Sequence, residues 1–381
     1  MPEPTLIFVP TPGDHYSLAT GSATMSVVHE LVRQHIAVGG EARIMVGDNT
    51  RHDIPDGKSV EVQYPAPRSR EKKIVDVGLG RVGLPRVFEG GAYRSVVKAI
   101  DPNEAPVVIV YNAPGGAAYI KRHRPHALVC LHAVNALFRT YNRPELRRLI
   151  NRIDRILCCS KYIADDIVSR LGEESTKIRV VHNGVNTGIF QPRPPEVEGG
   201  VARILFIGRV VPQKGPDLLL KAARLIHGKV PPFQVRLVGS KNFALISELS
   251  PYEKELRDIA GPIQDLVDFH PSISRDRLSD EYHSASIFCA PSNWDDPLPL
   301  TVLEAMANGL AVVSSRRGGI PEGGGEDILY FSPPNVEELA ERLAFFLQNA
   351  QVRAQWGARA RARALTFDWK QQYQSLRNAL N

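Results

Sequence analysis

Short apolar runs recur along this chain, each followed by a polar loop and then by apolar residues at helical spacing. Leu6–Val9, Ala42–Val46, Val107–Val110, Leu128–Leu131, Ile156–Cys159 and Ile178–Val181 read as buried strands of the first half. Arg203–Ile207, Val235–Val238, Val267–His270, Ile287–Ala290, Ala311–Val313 and Ile328–Phe331 repeat the theme in the second. Ala23–His35 carries Met25, Val28, Leu31 and Val32 on one side, and Pro216–His227 and Val336–Leu347 are patterned as helices too. Strands alternating with helices predict parallel sheets covered on both faces, an α/β fold. The Pro/Gly-rich stretch 191–200, QPRPPEVEGG, interrupts the alternation and reads as a linker. At 381 residues the chain exceeds one compact core. Two Rossmann-like domains are therefore expected, residues 1–191 and 200–366.

One stretch, 291–322 (PSNWDDPLPLTVLEAMANGLAVVSSRRGGIPE), concentrates the chemistry. A strand leads to Asp295 and Asp296, then Pro297 and Pro299, then a helix from Leu300 whose apolar face holds Leu303, Met306 and Ala307. Asn308-Gly309 supplies the C-cap. A helix start exposes unpaired N–H groups and partial positive charge, so it favours an anion, phosphate above all. Asp296 before the helix and Glu304 inside it would flank such an anion, roughly 12 Å apart if the intervening residues were all helical. The same residues also fit an acidic cap and a solvated glutamate on an ordinary helix.

Other candidates sit at strand ends. Gly208–Gly215 joins a strand to a helix and carries two cations, Arg209 and Lys214, able to reach one pyrophosphate or to stand free in solvent. Gly239 would let backbone approach a nucleotide. His132 closes a strand at its carboxyl end, where parallel α/β sheets bind ligands, although a structural histidine fits there too. The opening β–loop–α–β lacks G-x-G-x-x-G, so a dinucleotide site is weakly supported.

Composition adds three points. Cys130, Cys158, Cys159 and Cys289 lie in apolar strands without metal spacing, as expected of core thiols in a reducing cytoplasm. No apolar run is long enough for a membrane span, and the N-terminus is unlike a signal peptide. The first 190 residues hold 25 Lys and Arg against 19 Asp and Glu, and the remainder balances, so the whole net charge of +6 lies in the first half. No nucleic-acid module accompanies it, and an anionic acceptor or membrane surface is the better-motivated partner. Residues 66–98 interleave cations with apolar residues. We read them as helices packed on a sheet with basic faces in water, the alternative being a basic amphipathic segment lying on an anionic membrane.

Residues 291–322 resemble the E-x7-E region of the family-4 retaining glycosyltransferases, whose GT-B fold sets two facing Rossmann-like domains around a deep interdomain cleft. Asp296 stands where that family usually has Glu, and Glu304 is the second acid, followed by the typical Ala305-Met306. Leu298-Pro299 replaces the usual Phe-Gly, and Pro299 has no N–H to give a donor. Gly208–Gly215 is similar to the family's G-R-x-x-x-x-K-G loop. Residues 153–190 match over an extended run, with His182-Asn183-Gly184-Val185-Asn186 in place of Pro-Asn-Gly-Val-Asp and a tight turn expected at Asn183-Gly184.

The resemblance implies a nucleoside-diphosphate-sugar donor, UDP-linked in preference to GDP-linked, held mainly by the second domain. Arg209 and Lys214 would hold the diphosphate, Asp296 the sugar hydroxyls and Glu304 the ribose. Gly208, Gly239, His270, Leu298, Leu300 and Thr301 would complete the donor site. A looser match puts Gly21 near donor and acceptor, and His132 would contact the sugar near the reacting carbon, making His132, Arg209, Lys214 and Asp296 the catalytic set. Also implied are retention, a glycan, lipid-linked or small-molecule acceptor on the first domain, and a final helix, about 367–381, crossing back onto that domain. With cations on the phosphate and no D-x-D, no divalent metal and no cofactor are expected. The location implied is cytoplasmic, peripheral at the inner membrane surface if the basic segment binds lipid. Two other readings are a further GT-B enzyme, such as an epimerase or phosphorylase, and a non-catalytic or structural nucleotide-sugar-binding protein.

Overall fold

The computed structural model describes residues 3–19, 22–192, 201–241 and 248–381. The chain divides into two compact units, one of residues 1–18, 22–182 and 369–381, the other of 19–21 and 183–368.

The first unit runs β1 (Leu6–Val9), α1 (Ala23–Ala37), β2 (Ala42–Gly47), β3 (Lys58–Val62), α2 (Arg70–Arg81), α3 (Val87–Gly91), α4 (Arg94–Ala99), β4 (Val107–Tyr111), α5 (Pro114–His123), β5 (Leu128–Ala133), α6 (Arg143–Arg152), β6 (Arg155–Cys158), α7 (Lys161–Leu171) and β7 (Ile178–Val180). Its strands form one sheet in the order β3-β2-β1-β4-β5-β6-β7, and among the described residues all of their pairings are parallel. β1 and β4 are buried throughout, as their unbroken apolar sequences require. The edge strand β3 has no such run, and only Val62 in it is fully buried, so the hydrophobic pattern does not announce it. Asn142 caps α6 and Ser160 caps α7, each side chain accepting a backbone N–H.

The second unit runs β8 (Ala202–Ile207), α8 (Pro216–Ile226), β9 (Phe233–Val238), α9 (Pro251–Ala260), β10 (Val267–His270), α10 (Leu278–His283), β11 (Ile287–Ala290), α11 (Leu300–Ala307), β12 (Ala311–Ser315), α12 (Ile320–Gly324), β13 (Leu329–Phe331), α13 (Val336–Gln348) and α14 (Ala350–Ala364). Its strand order is β10-β9-β8-β11-β12-β13, again parallel. Both sheets reverse winding beside their first strand, between β1 and β4 and between β8 and β11. This is the doubly wound arrangement, whose ligands bind beyond the strands' carboxyl ends at that reversal. The final helix α15 (Trp369–Leu380) belongs to the first unit, where Tyr373 Oη lies 2.7 Å from Nδ1 of His35 on α1.

Several local expectations change. Asn183-Gly184 is not a turn: the Asn183 amide instead donates to the Leu298 carbonyl at 2.8 Å. Asn112, at φ 53°, makes the turn after β4, and Pro114 already opens α5. Gly323 and Gly324 belong to helix α12, and the chain turns at Gly325 with φ 54°. α11 is buried nearly all round, not along one face. α14 is tied into its unit by hydrogen bonds. Its Arg361 donates to the Phe190 and Ala307 carbonyls at 2.7 and 2.6 Å, satisfying a helix-end acceptor of α11. Its Gly357 lies against the Gly309 carbonyl, where a Cβ would come within 2.0 Å. The segment 66–98 is helical as α2, α3 and α4, yet α2 does not turn its apolar residues onto the sheet: Ile74 is 61% exposed and Asp76 is buried.

Candidate functional site

At the reversal point of the second sheet, β8 and β11 lie side by side, and their carboxyl ends feed the loops 208–215 and 291–299. The loops are locked to each other. The Asn293 N–H donates to the Gln213 carbonyl at 2.8 Å, and Gly215 sits at φ 67° with its missing Cβ replaced by the Pro291 carbonyl. This contact brings Lys214 onto Asp296 as a direct ion pair, with the Lys214 ammonium 5.8 Å from the Trp294 ring centroid. Asp296 is 4% exposed, and Gly318 packs against its backbone so closely that a Cβ would lie 2.2 Å from the Asp296 carbonyl oxygen. Arg209, on the same loop as Lys214, is exposed and has no ion pair among the described residues.

α11 begins directly after this pair. Among the described residues no side chain caps its start, which Pro299 opens in an extended conformation; the Val302 N–H reaches the Pro299 carbonyl at 3.3 Å, and the helix's partial positive charge lies at this end. Leu298 and Leu300 are buried, their side chains part of the unit's core rather than of an open surface, and Thr301 is half-buried. Gly208 and Gly239 meet at the ends of β8 and β9. The Gly208 carbonyl fills the space a Gly239 Cβ would take, 1.9 Å from it, so close packing of neighbouring strand ends already requires this glycine. His270 ends β10, half-buried, its Nδ1 2.9 Å from the Pro271 carbonyl.

Glu304 sits in the second turn of α11 and is 1% exposed. Both of its oxygens are occupied, one by Arg275 Nη2 at 2.7 Å and the other by the Tyr282 hydroxyl at 2.9 Å. Burial, then the charge of Glu304, holds the Tyr282 phenol well above its ordinary range, so it donates to the carboxylate. No local pattern ties Arg275 and Tyr282 to Glu304, because they precede it by 29 and 22 residues and meet it only in three dimensions.

His132 belongs to the first unit, at the end of β5 beside Tyr111 of β4, with ring centroids 4.7 Å apart. It is 1% exposed, and among the described residues neither its ring nitrogens nor the Tyr111 hydroxyl has a hydrogen-bond partner. Burial pushes the His132 pKa down to about 4, so the imidazole is neutral at neutral pH. Gly21 lies outside the described residues. Among the described residues no group of three or more His, Cys, Asp or Glu side chains is placed to hold a metal ion. The four cysteines are buried, and none of them forms a disulfide.

The second unit thus offers two cations, an uncapped helix start and two buried carboxylates, Asp296 and Glu304. An anion at the head of α11 would meet fixed positive charge, and polar groups beside it would meet carboxylate acceptors. The fold defines a two-unit, Rossmann-like protein, and the second sheet carries a candidate anion site.

The comparisons agree with that class. Residues 26–188 match the family described as Glycosyltransferase Family 4, and residues 190–363 match Glycosyl transferases group 1. Spore coat protein SA of Bacillus subtilis (strain 168) is 29% identical over 290 residues, covering 71% of this chain and 76% of that one. A D-inositol 3-phosphate glycosyltransferase of Streptomyces griseus is 28% identical over 251 residues, covering 58% of this chain and 52% of the relative. Among solved structures, Anabaena Alr3699/HepE in complex with UDP and glucose superposes with a TM-score of 0.73 at 18% identity, over 99% of both chains. The chain belongs to the family-4 glycosyltransferases and has the GT-B fold.

Proposed function

We propose that this glycosyltransferase moves a sugar from a nucleoside-diphosphate donor, UDP-linked in preference to GDP-linked, to an acceptor hydroxyl with retention of anomeric configuration. The carrying observation is the Lys214–Asp296 pair at the sheet's reversal point, with exposed Arg209 on the same loop and the uncapped start of α11 beside it. The UDP complex of Alr3699/HepE supports the choice of donor.

In this reading the donor diphosphate lies at the head of α11, opposite Arg209 and Lys214. Their fixed charge stabilises the phosphate as the bond from the anomeric carbon to its oxygen breaks. Asp296, already neutralised by Lys214, accepts from sugar hydroxyls. Glu304, held by Arg275 and Tyr282, accepts from the ribose. The acceptor, a glycan, a lipid-linked saccharide or a small molecule, is bound by the first unit. Neutral His132 steadies the sugar, as the family resemblance implies. The acceptor oxygen attacks the face that the phosphate leaves, and its proton passes to the departing phosphate oxygen, so no carboxylate nucleophile is used. The cations take the charge that a divalent metal would otherwise take. The reaction belongs in the cytoplasm, where nucleotide-sugars are made.

Calorimetry with UDP tests the donor half: binding should weaken at least about tenfold in Arg209→Ala. Unchanged binding would remove the diphosphate assignment. With a working acceptor, NMR should show the donor's anomeric configuration in the product, and excess chelator should leave the rate unchanged. Release of nucleotide diphosphate only when acceptor is present separates transfer from epimerisation. The relation to spore coat protein SA, with Asp296 and Pro299 departing from the family pattern, favours one second reading, a structural nucleotide-sugar-binding protein. Thermal stabilisation by UDP without turnover on any acceptor would select it.

A further inference from the structure

Helix α2 is turned inside out for a surface helix. Such helices bury their apolar stripe. Here only Asp76 and Gly80 are buried, while Ile74 and Val75 face outward. The chain after α2 continues the pattern, with Val82 73% and Leu84 54% exposed. Val87 and Phe88, at the start of α3, are exposed as well.

Polar contacts hold this orientation. Asp76 accepts the backbone N–H groups of Phe88 and Glu89 at 3.0 and 2.9 Å and pairs with Arg68 at 2.8 Å. Glu89 accepts the Gly115 N–H at 2.8 Å, and Arg86 pairs with Glu145 at 2.6 Å while its guanidinium lies 3.6 Å from the Tyr141 ring centroid. Turning the apolar side inward would strand buried charges, so the outward face is built into the fold.

α2 and the nearby helix α4 carry exposed cations. Arg70, Lys72, Lys73, Arg81, Arg94 and Lys98 are exposed, whereas Glu71 is the one exposed acid between residues 68 and 98. That span holds eight Lys and Arg against three Asp and Glu, nearly the whole excess of the chain. A second copy seated two-fold on the patch would set these cations against themselves. No helix among the described residues is long and apolar enough to cross a membrane.

We propose that the α2–α3 face docks the protein on an anionic lipid bilayer, with Ile74, Val75, Val82 and Leu84 at the boundary of headgroups and acyl chains and the cations on lipid phosphates. The proposal stands independently of the donor assignment.

The test is sedimentation of the full chain with vesicles of phosphatidylcholine alone or with about 30 mol% phosphatidylglycerol, at low and high salt. Wild type should pellet with the anionic vesicles only, and added salt should release it. Two triple variants, Ile74→Ser/Val75→Ser/Leu84→Ser and Arg70→Gln/Lys73→Gln/Arg81→Gln, should each lower partitioning at least about tenfold while keeping the wild-type melting temperature. Should the serine variant melt early, the glutamine variant, changed only at exposed charges, decides alone. Absence of binding, equal binding to neutral vesicles, or unchanged binding by the glutamine variant would overturn the proposal. So would wild-type self-association that the serine variant abolishes, which would mark a face between copies instead.

Discussion

The two sheets share one winding but finish their strands with opposite chemistry. The second ends in charge: Asp296 and Glu304 are buried, and each is met by a cation, Lys214 or Arg275. The first ends β4 and β5 in neutral groups, Tyr111 and His132, buried with polar atoms that have no partner among the described residues. The shared winding therefore marks where a ligand can lie and leaves its chemistry to the residues at the strand ends and on the helices that follow. Charge is held beside β11 because each carboxylate has a cation in place, whereas among the described residues no such partner stands beside Tyr111 and His132.

The sharpest way to break this contrast is to strip a buried carboxylate of its cation. Arg275→Ala should destabilise the protein by about 3–5 kcal/mol, the range for breaking a buried ion pair, read by urea unfolding. A loss well under about 1 kcal/mol would mean that water already serves Glu304. Next comes Lys214→Ala, expected to lower transfer by about 10²–10³-fold through loss of charge at the breaking bond, measured as the initial rate with donor saturating. An effect confined to KM would place Lys214 in uniform donor binding instead.

The neutral end is probed by pH. The His132 pKa is about 4 in the folded protein against an ordinary value of 6.5, so the unfolded chain takes up its proton first as pH falls. The stability this neutral imidazole allows is complete above pH 6.5 and is lost as pH drops towards 4, about 3 kcal/mol in all. His132→Gln should remove that part of the acid sensitivity, so the stability difference between pH 7 and pH 4 should shrink by about this amount relative to wild type. Equal acid sensitivity would show that water or ligand groups already reach the ring.

What sequence reveals follows this division. Arg209, Lys214 and Asp296 are legible because each lies on a short strand-to-helix loop, where glycines and prolines punctuate the pattern. Most strands are legible because both faces are buried and the apolar run is unbroken, whereas β3 at an edge is not. Arg275 and Tyr282 are invisible because no local pattern ties them to Glu304. The orientation of α2 is hidden for another reason. Alternation says that two helix faces differ, but not which of them turns inward. Buried Asp76 decides that, and its partners Arg68, Phe88 and Glu89 lie on neighbouring segments.

The finest test separates the two groups that hold Glu304. Tyr282→Phe keeps the ring packed and removes one hydroxyl donor, while Arg275 still neutralises the charge. The cost should be about 1.5–3 kcal/mol of stability, the range for a hydrogen bond to a charged group, and clearly less than for Arg275→Ala. If Glu304 also accepts from the donor's ribose, one carboxylate oxygen is now free of its protein partner. UDP affinity measured by calorimetry should then hold or rise slightly in Tyr282→Phe and fall in Arg275→Ala, where the carboxylate loses the group that orients it. A parallel fall in both would mean that the hydroxyl, rather than the guanidinium, sets the carboxylate's position.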